Sequence, residues 1–222
     1  MSKNAYEGRT SKYLNSRCKR CFDIAVCLLI FVPASAVIIL IGLATLIIEG
    51  RPVFFAHYRA GKNGRLFLMP KIRTMHTNAN PYKPSQEFEN GRFFTITGKF
   101  LRRHRLDELP QIFSVLTGQM SLVGPRPELP SVAEKYTSFE KKRLAARPGI
   151  TGLWQIMGNR KEAMHKGIKY DLYYLRKANL LLDIKILAMT IPFVLYPKPT
   201  GKTYENCIYT YNISLPDRRL NL

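Results

Sequence analysis

Two adjacent carboxylates, Asp107 and Glu108, follow a run of basic residues in this sequence. The preceding bases are Lys99, Arg102, Arg103 and Arg105. Such cations keep a carboxylate ionised, and they can also bind phosphate oxygens. An ionised Asp107 could attack phosphorus as a nucleophile, and Glu108 could bind Mg²⁺, which takes one or two carboxylates plus substrate phosphates. The pair is therefore a candidate phosphoryl-transfer site, although acids in a first helical turn also occur simply as partners of the helix dipole.

A second feature is an arginine between two prolines, Pro125-Arg126-Pro127. Because proline fixes its backbone torsion, Arg126 is predicted to lie on a stiff segment. Such a segment could aim the guanidinium at a phosphate. A purely structural turn explains the same pattern equally well.

Several other chemistries lack their sequence patterns. The chain has no Walker A sequence and no G-x-G-x-x-G. Cys18-x-x-Cys21 has no second pair to complete a four-ligand zinc site, so reduced thiols are the better interpretation. The histidines also show no metal-ligand spacing. They are His57, His76, His104 and His165.

The composition indicates a basic globular protein with a polyanionic partner. Lys and Arg number 35 against 15 Asp and Glu, which gives a net charge of +20. Nucleic acid, anionic lipid or phosphorylated substrates would match that charge. Apolar residues make up 46% of the chain, so it can bury a core, and its four cysteines are too few for a disulfide scaffold.

A charge-free apolar run, residues 24–48, lies between Asp23 and Glu49. It is longer than the ~7–15 apolar residues of a signal peptide. A core helix without a polar face is rare in so small a domain. The run therefore predicts membrane association.

Whether the run crosses the membrane is left open by its residues. Both flanks are basic, so neither is clearly assigned to the opposite side. Pro33 removes a helical hydrogen bond, and neither arm, 24–32 or 34–48, reaches the ~20 residues needed to span. A helix that bends at Pro33 and returns to the same face fits these facts. A spanning helix with a proline kink fits them about equally well.

The remaining sequence predicts one hairpin and several helices. β-prone runs at 52–58 and 66–72 flank a segment containing Gly and Asn, which favours a hairpin. The polar residues 77–95 are typical of a mobile loop. The last helix carries Asp183 and Lys185, so we expect it to lie on the membrane or in the core. The predicted helices are 107–117 (stopped by Gly118), 131–146 (opened by a Ser131/Glu134 capping box), 162–178 and 183–196.

Several motifs in a fixed order resemble the bacterial sugar transferases, the monotopic phosphoglycosyl transferases. The resemblance covers about residues 17–196 and includes Lys19-Arg20 with Asp23, and Pro33. The longer motifs are Lys71-Ile-Arg73-Thr-Met75, Leu106-Asp-Glu-Leu-Pro-Gln111, Met120-Ser-Leu-Val-Gly-Pro-Arg-Pro-Glu128, Arg147-Pro-Gly-Ile-Thr-Gly-Leu-Trp-Gln155, Tyr170-Asp171 and Asp183-Ile-Lys-Ile-Leu187. The chain departs from the family at Val32, where Ser is usual, and at Ile72, where an aromatic residue is usual.

The resemblance implies an Mg²⁺-dependent enzyme at the cytoplasmic face of the bacterial inner membrane. Such enzymes transfer a sugar 1-phosphate from a UDP-sugar to a polyprenyl (undecaprenyl) phosphate and release UMP. They begin the synthesis of a lipid-linked glycan of an O-antigen, capsule, exopolysaccharide or glycoprotein. Anionic membrane lipids are further expected partners, and nucleic acid is not.

The same resemblance implies roles for individual residues. Asp107 would attack the β-phosphorus and form a phosphosugar-aspartyl intermediate, Glu108 would bind Mg²⁺, and Pro33 would break the re-entrant helix. Basic groups would surround the diphosphate: Lys71, Arg73 and Arg102. Packing or ordinary ion pairing is the alternative for the further substrate contacts, which are Pro125, Arg126, Arg147, Gln155 and Asp171.

The sequence thus predicts an α+β fold, mainly helical, with an N-terminal re-entrant membrane helix and a compact membrane-associated catalytic domain containing a small β-hairpin. Two other classes of function are also considered, a membrane-anchored nucleic-acid-binding protein and a non-enzymatic scaffold for glycan assembly. The predicted segments are a basic N-terminal segment (1–22), a membrane helix broken at Pro33 (23–49), a catalytic domain (50–196) and a tail (197–222).

Overall fold

The computed structural model describes residues 10–80, 93–157 and 164–195. It is mainly helical, with two small two-stranded sheets in the described residues, and so agrees with the predicted α+β class. The predicted tail and most of the predicted loop at 77–95 lie outside these residues. The elements are α1 (Arg17–Glu49), β1 (Phe54–Ala60), β2 (Leu66–Ile72), α2 (Ile96–His104), α3 (Gln111–Leu116), β3 (Ser121–Val123), α4 (Pro130–Ala133), β4 (Gly149–Thr151), α5 (Leu153–Met157), α6 (Met164–Lys177) and α7 (Leu180–Leu195).

Helix α1 is long and apolar enough to cross a membrane. The Ser16 hydroxyl caps its first turn by accepting from the Lys19 backbone N–H, and Gly50 ends it with a φ of 69°. The helix therefore begins at Arg17 and not at residue 23 as predicted, because the cap precedes the basic turn. It also continues through Pro33, so the predicted break does not interrupt the helix. A bend at that position stays a prediction.

Much of the apolar surface of α1 is exposed, with Leu29 at 80% and Ile47 at 82%. The two flanks of the helix nevertheless meet the same body. Before the helix, Asn15 accepts a hydrogen bond from Lys62, which follows β1. At its end, the Arg73 guanidinium donates to the carbonyl oxygen of Glu49.

The predicted hairpin is confirmed, because β1 and β2 pair antiparallel. The register sets Phe55 opposite Lys71 and His57 opposite Met69. Since alternate residues share a face of a strand, His57 and Arg59 lie on the same face as Lys71. That face is turned toward the protein, and the opposite face exposes apolar side chains.

A second, parallel sheet of β3 and β4 was not predicted. Each strand has only three residues, which is too short to show a periodic pattern. The strands approach closely where two glycines meet. A Cβ on Gly149 would lie 2.1 Å from the backbone nitrogen of Gly124, so a side chain there is excluded.

Two predicted helices were wrong in extent. Asp107 and Glu108 lie in a 3₁₀ turn (Leu106–Glu108), and α3 begins only after Pro110. The second helix, predicted for 131–146, is divided into α4 and a 3₁₀ turn at Glu140–Ala145. The reciprocal capping contacts form nearly two turns later than predicted, between Thr137 and Glu140. The predicted stop at Gly118 is confirmed by its positive φ of 85°.

The helices predicted at 162–178 and 183–196 correspond to α6 and α7. Helix α7 packs Ile186 and Met189 into the core and exposes Leu181 and Ile191. Helix α7 therefore takes part in the core, which is one of the two predicted alternatives.

A buried polar network joins α1 to the rest of the protein. The Lys19 ammonium lies 2.9 Å from Asp23 Oδ1 and 2.8 Å from Asp183 Oδ2. The hydroxyls of Tyr13 and Tyr174 donate to Asp183 at 2.9 and 2.7 Å. We call this network the anchor cluster, and its members are Tyr13, Lys19, Asp23, Ser121, Tyr174 and Asp183.

Candidate active site

The turn between α2 and α3 presents the two adjacent carboxylates. Arg105 adopts a left-handed conformation (φ 56°), which ends α2 and reverses the chain. Asp107 and Glu108 follow at once on the 3₁₀ turn, and Pro110 prevents that turn from simply continuing the helix. The carboxylates are thereby carried to the inner face of β2.

Strand β2 supplies the lysine of this site. The Lys71 Nζ atom lies 2.8 Å from Glu108 Oε1 and 3.9 Å from Asp107 Oδ2. Arg126 approaches from another side, with Nη2 3.8 Å from Glu108 Oε1. The structure thus brings together four residues that the sequence analysis singled out, although they span more than fifty positions of the chain.

The environment separates the acidities of the two carboxylates. Burial raises the pKa of Asp107, which is only 4% exposed, and the neighbouring Glu108 charge raises it further against the opposing effect of Lys71. Burial also opposes ionisation of Glu108, but Lys71, Arg126 and Arg105 together outweigh it and hold the pKa of Glu108 well below its ordinary value. Glu108 is therefore the permanent anion of the pair.

More cations surround the pair than its two charges require. The Arg102 guanidinium stacks over the Phe94 ring at 4.5 Å and acts electrostatically on Asp107. On β1, the pKa of Arg59 responds to the charges of Arg126, Glu128 and Glu108. We call this group the site cluster, and its charged members are Arg59, Lys71, Arg102, Arg105, Asp107, Glu108 and Arg126.

Sequence reasoning missed two members of this surrounding. His57 and Arg59 belong to the site, but the histidine was considered only for metal-ligand spacing. The signal that could have found them is the strand alternation, since both are predicted to share a face with Lys71 once the hairpin register is drawn.

Hydrogen bonds to the backbone of Pro125 and Arg126 fix the position of Arg126. Its carbonyl oxygen accepts a hydrogen bond from Arg143 Nη2 at 3.0 Å, and the Pro125 carbonyl accepts from the Gly149 N–H at 2.9 Å. The buried Arg143 in turn pairs with Asp171 at 2.6 Å. Asp171 was expected to contact substrate, whereas the structure places it in this ion pair.

Arg73, Arg147 and Gln155 are not brought to the carboxylates. The Arg73 guanidinium donates to the last carbonyls of α1, at Glu49 and Gly50, and to Arg51. Arg147 donates to the Gly118 carbonyl. The Gln155 side chain donates to Ile150, and its backbone carbonyl accepts from Arg105 at 3.3 Å, so it reaches the site only through that arginine.

The acidic groups of the site fit a metal ion bound largely by substrate. No cluster of three potential protein ligands occurs in the part of the chain that the structure describes. Glu108 is a single ionised carboxylate facing the space between Lys71 and Arg126. Mg²⁺ commonly binds through one or two carboxylates together with phosphates and water, so this donor set suits it.

Comparison with known proteins gives a consistent result. The model of the family described as "bacterial sugar transferase" matches residues 14–197. The exopolysaccharide production protein ExoY of Sinorhizobium fredii is 34% identical over 79% of this chain and 84% of its own length.

Longer relatives match as well. A UDP-glucose:undecaprenyl-phosphate glucose-1-phosphate transferase of Klebsiella pneumoniae is 41% identical over 80% of this chain and 40% of its own length. An undecaprenyl-phosphate galactose phosphotransferase of Salmonella typhimurium is 34% identical over 84% of this chain and 41% of its own. The chain therefore spans most of the shorter relative and less than half of the longer ones.

Proposed function

Because the chain belongs to the bacterial sugar transferase family, we propose that it transfers a sugar 1-phosphate from a UDP-sugar to undecaprenyl phosphate and releases UMP. Relatives named for glucose 1-phosphate and galactose phosphate transfer support this reaction type. The observation that carries the proposal is a buried aspartate, Asp107, beside Glu108 and Lys71, in a cluster with surplus positive charge. Both proposed substrates are phosphate anions, which such a cluster attracts.

In the first step, Asp107 is the nucleophile. A carboxylate oxygen attacks the β-phosphorus of the UDP-sugar, a new oxygen–phosphorus bond forms, and the bond from that phosphorus to the bridging oxygen breaks. The bridging oxygen leaves with UMP and keeps the electron pair. Lys71 is 3.9 Å from Asp107 and Arg126 is close by, so both are suited to neutralise charge on the transferring phosphoryl group.

In the second step, undecaprenyl phosphate displaces Asp107 from the phosphorus. One of its phosphate oxygens attacks the same phosphorus, and the phosphorus–Asp107 bond breaks to restore the carboxylate. The product is an undecaprenyl-diphosphate sugar, the first lipid-linked intermediate of a glycan such as an exopolysaccharide. Once Asp107 is ionised, neither step requires a proton to be transferred by the protein. This agrees with the low basicity of His57, the histidine beside the site in the described residues.

Mg²⁺ is proposed to be held by Glu108 together with substrate phosphates. When bound, it would supply charge neutralisation on the diphosphate. Because the pKa of Glu108 is held well below its ordinary value, this residue is ionised at every working pH and is available as a ligand.

The membrane placement follows from α1 and its flanks. The segments before and after this apolar helix contact each other through Asn15 and Lys62, and the Tyr13 hydroxyl before it reaches Asp183 of α7. Flanks that pack on one body are expected of a helix that bends and returns to the face from which it entered, so these contacts support the re-entrant alternative. Both flanks are basic, which favours the cytoplasmic face of the inner membrane for both.

The reaction is tested with purified protein, Mg²⁺ and a panel of UDP-sugars, with and without undecaprenyl phosphate. We expect catalytic UMP release with at least one donor, and only when the acceptor is present. Without acceptor, UMP should not exceed one equivalent per enzyme. The absence of UMP release with every donor and acceptor would contradict the proposed function.

The topology is tested by single cysteines in a cysteine-free background, one at Lys12 before the helix and one at Arg65 in the hairpin. A membrane-impermeant thiol reagent should label both from the cytoplasmic side of inverted vesicles. Labelling of the two positions from opposite sides would rule out the re-entrant placement.

A further inference from the structure

The inner face of β1 carries a buried pair that the mechanism above does not use. The Arg59 Nε–H donates to His57 Nε2 at 2.7 Å. His57 is 4% exposed, and its ring stacks on Phe55 with a centroid distance of 5.4 Å and an interplanar angle of 20°. The histidine therefore holds the nearest edge of the guanidinium in a fixed plane.

The remaining part of the Arg59 guanidinium is weakly engaged. Its Nη1 reaches the Pro127 carbonyl at 3.5 Å, at the limit of a hydrogen bond. Its Nη2 donates to no protein group within residues 10–80, 93–157 and 164–195. A planar guanidinium fixed at its Nε edge, with N–H donors remaining at its other nitrogen, is suited to bind two oxygens of a phosphate group.

The charges around Arg59 are not balanced by the protein. Arg126 is its strongest charged neighbour, and Arg102 adds to the repulsion. Glu128 and Glu108 attract Arg59, but both are shared with other cations. Glu128 lies 3.3 Å from Arg143, and Glu108 lies 2.8 Å from Lys71. Burial, and next the like charge of Arg126, lower the pKa of Arg59 to about 10, so the cation is disfavoured in this environment.

His57 is suited to hold the arginine because it stays neutral. Burial, together with the nearby Arg59 and Lys71, lowers the pKa of His57 to about 3. The neutral ring presents Nε2 as an acceptor and carries its proton on Nδ1. A charged imidazolium could not accept the Arg59 Nε–H.

We propose that Arg59 is a phosphate-binding residue of this active site and that His57 is its positioning residue. The inference rests on the proposed function, because it assigns the phosphate to one of the two substrates of that reaction. The diphosphate of the UDP-sugar and the monophosphate of the lipid acceptor share the chemistry that Arg59 would recognise. The experiment therefore probes each of them separately.

The test measures the equilibrium binding of two probes, UDP and farnesyl phosphate, in Mg²⁺ buffer. Arg59→Met removes the charge, and Arg65→Met makes the same change at an exposed arginine of the same hairpin. We expect Arg59→Met to weaken one probe about 10- to 100-fold, the usual effect of losing a hydrogen bond to a charged group. The affected probe identifies the phosphate, and Arg65→Met should bind both probes as the wild type does.

The positioning role is tested at His57 with two substitutions. His57→Gln keeps an acceptor and should stay within about threefold of wild-type affinity for the same probe. His57→Phe keeps the stacking on Phe55 but accepts no hydrogen bond, and it should weaken that probe by about tenfold.

Unchanged binding of both probes in Arg59→Met would overturn the inference, as would equal effects of the two His57 substitutions. A lowered melting temperature with unchanged affinities would show that the pair only supports the hairpin. These results are distinct from a failure of the proposed function, which would appear as absent UMP release in the wild-type protein.

Discussion

Two buried charge clusters of this protein differ in how fully their groups are satisfied. In the anchor cluster, Lys19 lies between Asp23 and Asp183, and each of the two carboxylates also accepts hydrogen bonds from hydroxyl groups. In the site cluster, the cations outnumber Asp107 and Glu108. Among the described residues, Arg59 Nη2 donates to no protein group, and the nearest ion-pair partner of Asp107 is Lys71 at 3.9 Å.

The difference separates a structural cluster from a binding one. A buried ion network whose polar atoms are all paired fixes how elements pack, here α1 against α7 and β3. A cluster with surplus charge of one sign is costly until a counter-ion arrives. Surplus positive charge around an ionised glutamate and a protonatable aspartate is what the proposed site for a phosphate substrate and a metal requires.

The largest effect is expected from Asp107→Asn in the site cluster. The amide is nearly isosteric but is a poor nucleophile toward phosphorus, so UMP release should fall by about 10³-fold or more. The melting temperature should not fall, because the change removes a buried carboxylate. Full activity of the variant would contradict the nucleophilic role.

The anchor cluster should respond in the opposite way. Lys19→Met leaves two carboxylates, Asp23 and Asp183, buried without their shared cation, which typically costs about 3–5 kcal/mol. Denaturant unfolding should show this loss, whereas the KM for the UDP-sugar of the folded fraction should remain that of the wild type. The matched control is Lys12→Met, an exposed lysine one turn before the helix.

Glu108→Gln should have an intermediate effect that depends on the metal. The amide remains a weak ligand, so activity at low Mg²⁺ should fall by about 10- to 100-fold and recover partly as the Mg²⁺ concentration rises. A Mg²⁺ titration of initial rates checks this. A loss that no Mg²⁺ concentration relieves would argue against metal binding at Glu108.

The smallest effect concerns pH and stability in Mg²⁺-free buffer. Burial raises the pKa of Asp107 in the folded state, so the protonated form of this group stabilises the fold relative to the ionised form. That stability is fully present below about pH 4 and is lost as the pH rises through the raised pKa. Asp107→Asn should therefore be as stable as the wild type near pH 4 and more stable at neutral pH. A stability difference that is constant with pH would contradict the raised pKa.

The sequence allowed the hairpin, the last two helices and the long apolar helix to be predicted, because each has a strong local pattern. It also singled out Asp107, Glu108, Lys71 and Arg126, through motifs in a recognisable order. The 3₁₀ turn at Asp107 was not predicted, although Pro110 lies within the helical pattern and a proline there is expected to interrupt a helix.

The partners of individual charged residues could not be predicted in the same way. A sequence does not state which carboxylate an arginine meets, and Arg143 lies 28 positions from Asp171. Arg73 is two residues from Lys71 on the same strand, yet it donates to the end of α1 instead of facing the carboxylates. Such assignments depend on the relative placement of elements far apart in the chain.

The central claim is that Asp107 becomes covalently phosphorylated, and mass spectrometry of the intact protein and its peptides tests it most directly. The protein is mixed with the active UDP-sugar and Mg²⁺, without lipid acceptor, and quenched in acid. We predict a mass increase of one sugar phosphate on the peptide that contains Asp107, absent in Asp107→Asn and lost on addition of undecaprenyl phosphate. Turnover without any adduct, with kinetics that require both substrates bound together, would contradict the account.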